Sequence, residues 1–147
     1  MNANTLYQFT NLDTLARAIG EKRILSVKVE WLFDEDADLS YLDQFESSDD
    51  KDEQGYYAKD QARKAEYGNS WCMEGCRAVA KCSIQMGESY ARLQTFHSSG
   101  LWEIESDSDE SYKREVEGEQ LRELCESLRA WGFSQAELQK HFESNAL

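Results

Sequence analysis

The sequence predicts an α+β domain: an antiparallel sheet of about four strands with two C-terminal helices packed on one face. Three observations carry that expectation. Residues 24–33 alternate apolar and polar side chains with a period of two. Residues 109–131 carry an apolar stripe at helical spacing. Between them, segments 76–84, 90–97 and 101–105 have strand composition and are punctuated by glycine.

Along the chain, Asn11 can cap a short helix over 12–19, with Leu12, Leu15, Ala16 and Ile19 on one side and Gly20 to end it. In 24–33, Leu25, Val27, Val29, Trp31 and Phe33 share one face of a strand. An acidic segment comes next, pinned to the core by Leu39, Tyr41, Leu42 and Phe45, with 46–55 as its flexible tip. Residues 56–67 have helical composition, broken by Gly68-Asn69-Ser70. Strand 76–84 places Ala78, Ala80, Cys82 and Ile84 on one side, although its alanines also suit a helix. Strands 90–97 and 101–105 read as a hairpin across Ser98-Ser99-Gly100. The helix over 109–131, capped by Ser108 or Asp107, carries Tyr112, Val116, Leu121, Leu124, Cys125, Leu128 and Trp131, and Gly132 stops it. Ser134-Gln135-Ala136-Glu137 reads as a capping box for a last helix carrying Leu138 and Phe142.

Length and composition bound the function. A chain of 147 residues with 40% hydrophobic content points to one domain with a folded core. No apolar run is long enough to span a membrane, and Met1–Thr5 lacks the basic and apolar regions of a signal peptide, so a cytoplasmic setting is expected. In that setting Cys72, Cys76, Cys82 and Cys125 are reduced thiols. A net charge of −13 argues against direct contact with nucleic acid, which needs Lys and Arg against phosphate. The best basic patch, Lys59, Arg63 and Lys64, is interrupted by Asp60 and Glu66.

The acids are clustered. Asp34–Glu53 holds ten carboxylates and one base, Lys51. A second knot runs through Glu103, Glu105, Asp107, Asp109 and Glu110. Such clusters cost self-repulsion and make sense as a solubilising coat or against a cationic partner. On the second reading Asp34, Glu35, Asp36, Asp38, Asp49, Asp50, Asp52, Glu53, Glu103, Glu105, Asp107 and Asp109 form the partner-binding set. They would act as a decoy for a basic, nucleic-acid-binding cleft, with Tyr41, Trp102 and Tyr112 as aromatic anchors. Trp102 and Tyr112 also suit a core position joining the hairpin to the helix.

The run Gly100-Leu101-Trp102-Glu103-Ile104-Glu105-Ser106-Asp107-Ser108-Asp109-Glu110-Ser111-Tyr112, continuing to Leu128, resembles a segment of small uncharacterised proteins of phages and mobile elements. Asp38-Leu39-Ser40-Tyr41-Leu42 resembles their earlier portion. The resemblance implies an accessory role and brings no catalytic residue with it. In size and charge the chain is also similar to anti-CRISPR and anti-restriction inhibitors. The partner this implies is a basic, nucleic-acid-handling host protein, possible targets being a CRISPR effector or a restriction enzyme.

Other chemistry lacks its signatures. Cys72, Cys76 and Cys82 do not form a paired Cys-x-x-Cys, and within one strand Cys76 and Cys82 would stand about 20 Å apart, too far for one tetrahedral zinc site. A calcium loop starting at Asp107 would need glycine where Tyr112 stands and a carboxylate where Gly118 stands. No phosphate-binding glycine loop or nucleophile elbow is present, and His97 and His141 are the only histidines. No cofactor is expected. The alternatives from other classes are a small enzyme using a cysteine with His97, and a structural or assembly module.

Overall fold

The computed structural model of the chain describes residues 21–147. The helix expected over 12–19 lies outside the described residues. Within them the order is β1 (Lys22–Phe33), a 3-10 turn (Ser40–Asp43), α1 (Lys51–Ala65), β2 (Met73–Gln85), β3 (Ala91–His97), β4 (Leu101–Glu105), α2 (Glu110–Ala130) and α3 (Gln135–Gln139). The expected α+β architecture holds: a four-stranded antiparallel sheet with two C-terminal helices.

β2 is the spine of the sheet. One edge pairs with β1 from Lys22↔Ile84 to Phe33↔Glu74. The other edge pairs first with β3, over Val79–Gln85, and then with β4, over Met73–Cys76. The expected β3–β4 hairpin is therefore corrected. Both strands run antiparallel to β2, so they share a direction and succeed one another along the same edge. Ser98-Ser99-Gly100 kinks the chain without reversing it. Ser98 continues the ladder, its N–H donating to the Ala78 carbonyl at 3.0 Å and its hydroxyl accepting the Ala78 N–H at 2.9 Å. The next two N–H groups are taken by side chains of α2: Ser99 donates to Glu123 Oε1 at 2.8 Å and Gly100 to Gln120 Oε1 at 3.0 Å. With its donors satisfied there, the segment has no need of a tight turn. Gly100, at φ 86°, supplies the left-handed backbone the kink requires.

Alternation along β1 is broken once. The register steps from Ile24↔Cys82 to Ser26↔Lys81, leaving Leu25 as the extra residue of a bulge. As a result Ile24 is buried and Leu25 is 55% exposed, the reverse of the simple period. Beyond the bulge Val27, Val29 and Trp31 pack on core clusters, and Phe33 at the strand end is exposed.

The main core lies between the sheet and the two C-terminal helices. β2 contributes Ala78, Ala80, Cys82 and Ile84; α2 contributes Leu124, Cys125 and Leu128; Phe133, Leu138 and Phe142 close the end. The small β2 side chains let α2 approach closely, so its leucines fill the layer. Tyr112 and Trp131, expected on the buried stripe, are exposed, while Gln120 is buried in its service to Gly100. The N-cap of α2 is Asp109, without a side-chain cap bond; Asp107, expected as a cap, is instead turned to Arg63. The helix ends as expected at Gly132 (φ 91°), with the Phe133 N–H reaching the Leu128 carbonyl and the Gly132 N–H reaching Arg129.

Only half of the expected capping box forms. The Ser134 hydroxyl accepts the Glu137 N–H, but the Glu137 carboxylate crosses to β1 and accepts the Ile24 N–H at 2.8 Å. Burial alone would raise the Glu137 pKa; the Ile24 N–H, Lys140 and His141 outweigh it and hold the carboxyl below its ordinary 4.5. A depressed carboxyl pKa stabilises the fold above the unfolded value, and that contribution disappears as pH falls through the folded value. Denaturant titrations between about pH 6 and pH 3 will show part of the acid loss of stability, and Glu137→Gln will flatten that part of the curve.

The segment 46–55, expected as a flexible loop, contains the first turn of α1. Asp50 caps that helix, accepting the N–H groups of Asp52 at 2.9 Å and Glu53 at 3.1 Å. A second cluster, Leu42, Trp71 and Met73, lies where the 3-10 turn reaches the end of β2 and pins the acidic segment through Leu42 and Leu39, while Tyr41, expected as a further pin, is 41% exposed.

Candidate functional site

The two acidic stretches, far apart in sequence, meet at one end of the sheet. β1 runs out into Asp34, whose N–H donates to the Met73 carbonyl at 2.9 Å. The Asp34 carboxylate turns inward: Oδ1 accepts the Asp36 N–H at 3.2 Å and Oδ2 the Glu103 N–H at 3.1 Å. Asp34 is thus buried and positions the acids around it, while Glu35, Asp36 and Glu103 face solvent. Glu103 stands at φ 58°, a left-handed conformation that costs about 1–2 kcal/mol outside glycine.

Between these acids lies an open cleft of about 560 Å³, lined by Phe33, Asp34, Glu35, Asp36, Trp102 and Glu103. Trp102, expected as a core residue, is 41% exposed, and Phe33 is 56% exposed. Gly75 explains how an indole lies there. A Cβ on Gly75 would stand 2.0 Å from Trp102 Cε3, so the ring rests on bare β2 backbone. Glycine inside a strand marks close approach of this kind, and it is the sequence signal for this cleft.

The remaining predicted residues separate into groups. Glu105 and Asp107 are both held by Arg63, whose Nη2 lies 2.6 Å from Glu105 Oε2 and 2.9 Å from Asp107 Oδ1. The guanidinium also lies 3.9 Å from the centre of the Trp71 ring. Hydrogen bonding to Asp107, with Glu105 alongside, raises the Arg63 pKa and lowers that of Asp107. Burial, followed by the bond to Glu105, pushes the Tyr41 hydroxyl up to about 12. Asp38 accepts the Ser40 N–H at 2.8 Å, and Asp109 is exposed at the start of α2. Asp49, Asp50, Asp52 and Glu53 sit at the N-terminus of α1, roughly 20 Å along that helix from Arg63 at about 1.5 Å per residue. They form a separate patch, with Glu53 further engaged by the Ser48 hydroxyl.

Of the basic patch, Lys59 stays exposed beside Tyr56, while the other two enter ion pairs. Arg63 is engaged as above, and Lys64 Nζ lies 2.6 Å from Asp43 Oδ2. Arg77 pairs with Glu30 at 3.0 Å and Lys113 with Glu74 at 3.4 Å. Among the thiols, burial pushes Cys76 and Cys82 up to about 11, which keeps them protonated at neutral pH and weak as nucleophiles. Among the described residues no three His, Cys, Asp or Glu side chains converge as a metal site. None of the helices of the described residues is long and apolar enough to cross a membrane. Comparison with protein-family models, with curated proteins and with solved structures finds no match for the chain.

Proposed function

We propose that this protein is a non-enzymatic binding module of phage or mobile-element origin. It docks acid-first on a basic, nucleic-acid-handling host protein, in the manner of an anti-CRISPR or anti-restriction inhibitor. The observation that carries this reading is the convergence of Glu35, Asp36 and Glu103 around exposed Phe33 and Trp102. Carboxylates next to exposed aromatics are the complement of a cationic protein surface: the charge steers encounter and the rings anchor it. Arg63, Lys64, Arg77 and Lys113 are engaged in ion pairs with acids of this chain, and the net charge is −13.

The test is affinity capture from host lysate over a salt series, then direct titration of the captured protein. The expected outcome is one nucleic-acid-binding protein, released by salt and by competing nucleic acid. Neutralising the cleft (Glu35→Gln, Asp36→Asn, Glu103→Gln) will weaken binding at least about tenfold and shallow its salt dependence. Asp49→Asn with Asp50→Asn keeps a competent helix cap and tests the second patch separately. Undiminished binding by both neutralised variants sinks the reading.

A further inference from the structure

We infer that the Phe33–Trp102 cleft is a receptacle for a single arginine side chain presented by the protein partner. The inference rests on acid-first docking and specifies which group the cleft takes.

Two other tryptophans of this protein already carry cations. Trp71 holds the Arg63 guanidinium 3.9 Å from its ring centre, and Glu105 and Asp107 hold the other side of that cation. Trp31 carries the Lys113 ammonium at 5.0 Å, and Glu74 holds it from the side at 3.4 Å. In both places the unit is an indole face, a cation on it and a carboxylate beside it. Trp102 has the same surroundings, with Glu35, Asp36 and Glu103 around the cleft, yet among the described residues no cation lies over its ring. This unit is complete except for its cation.

The geometry favours arginine over lysine. Trp102 lies against Gly75, so its opposite face is the one turned outward. A flat, weakly hydrated guanidinium stacks on such a face while forking two N–H bonds to a carboxylate; an ammonium reaches the face only as a strongly hydrated point charge, without the planar fork. The volume of about 560 Å³ suits a ligand of this size with its flanking backbone. Exposed Phe33 supplies a second apolar wall for the methylene stem.

The probe is acetyl-Gly-Arg-Gly-amide, titrated into the isotope-labelled full chain and monitored at the Trp102 indole N–H. Lysine and citrulline versions separate planarity from charge. We expect the arginine peptide to shift the Trp102 signal saturably, the lysine peptide to bind about threefold or more weakly, and the citrulline peptide not to bind. Trp102→Ala will weaken the arginine peptide about tenfold. Asp36→Asn with Glu103→Gln leaves the ring in place and will weaken it similarly, which keeps the test sound if Trp102→Ala perturbs the fold. Equal binding of arginine and lysine peptides overturns the inference, as does a response confined to acids outside the cleft. The two readings also separate on the captured partner. If its binding survives Trp102→Ala but not neutralisation of Glu35, Asp36 and Glu103, the arginine receptacle fails and acid-first docking stands. If it survives both, the arginine receptacle fails, and acid-first docking fails with it when Asp49→Asn with Asp50→Asn is also without effect.

Discussion

Leu128→Ala will cost about 2–5 kcal/mol of stability, among the largest losses available to a single side chain here. Leu128 is fully buried on α2 and belongs to the same core cluster as Ala78, Ala80 and Cys82 of β2. Those strand residues are too small to grow into the vacated volume. Phe133 is held by the turn that the Leu128 carbonyl itself closes with the Phe133 N–H, and Leu138 by its own helix, its N–H on the Ser134 carbonyl. Collapse of the cavity is therefore limited, and the upper half of the range is expected. Urea unfolding measures it: the midpoint will fall with the slope unchanged. A loss under about 1 kcal/mol would mean that the layer between α2 and β2 is looser than this packing requires.

Gly75→Ala is the second large effect, and it couples stability to the cleft. The added methyl would fall 2.0, 2.4 and 2.5 Å from three atoms of the Trp102 ring, well inside van der Waals contact. Either β2 shifts or the indole lifts off the strand. Trp102 is already partly exposed, so the ring yields first. Overpacking of this kind costs about 1–3 kcal/mol. The signature is specific: a displaced Trp102 indole N–H resonance, with the signals of the α2 core unchanged. Unchanged stability together with an unmoved indole would contradict the close approach.

Much of the fold was legible in the sequence because its signals are local. The alternation of Val27, Val29 and Trp31, the α2 stripe through Val116, Leu124 and Leu128, and the stop at Gly132 each need only a few neighbouring residues. The features that were not legible depend on distant partners. Ser98-Ser99-Gly100 is equally compatible with a reversal and a kink. The choice is made by Gln120 and Glu123, which sit 20 and 24 residues further on and accept the N–H groups of Gly100 and Ser99. The capping box at Ser134 was half legible, since Ile24, 113 residues away, claims the Glu137 carboxylate. The candidate site divides in the same way. The acids were visible as clusters, but their pairing was not: Arg63 lies 42 residues from Glu105 and 44 from Asp107, and it removes both from the free set. The seat of the Trp102 ring is likewise set by Gly75, which stands on a different strand.

Helix α1 is an element built on charge. None of its fifteen residues is buried, and it meets the core through the Arg63 guanidinium lying over Trp71. Its tethers are polar and gathered toward its C-terminal end: Gln61 and Lys64 to Asp43, Arg63 to Glu105 and Asp107, and the Arg63 carbonyl to Trp71 Nε1. A helix of this length is marginal alone in water. Its amides are therefore expected to exchange ahead of those of the sheet and α2. Its amides will exchange with solvent at a rate set by ionic strength rather than by the global stability of the core. The patch at Asp49–Glu53 rides on this helix, so the same salt that screens its attraction to a partner also weakens the ion pairs that hold it in place.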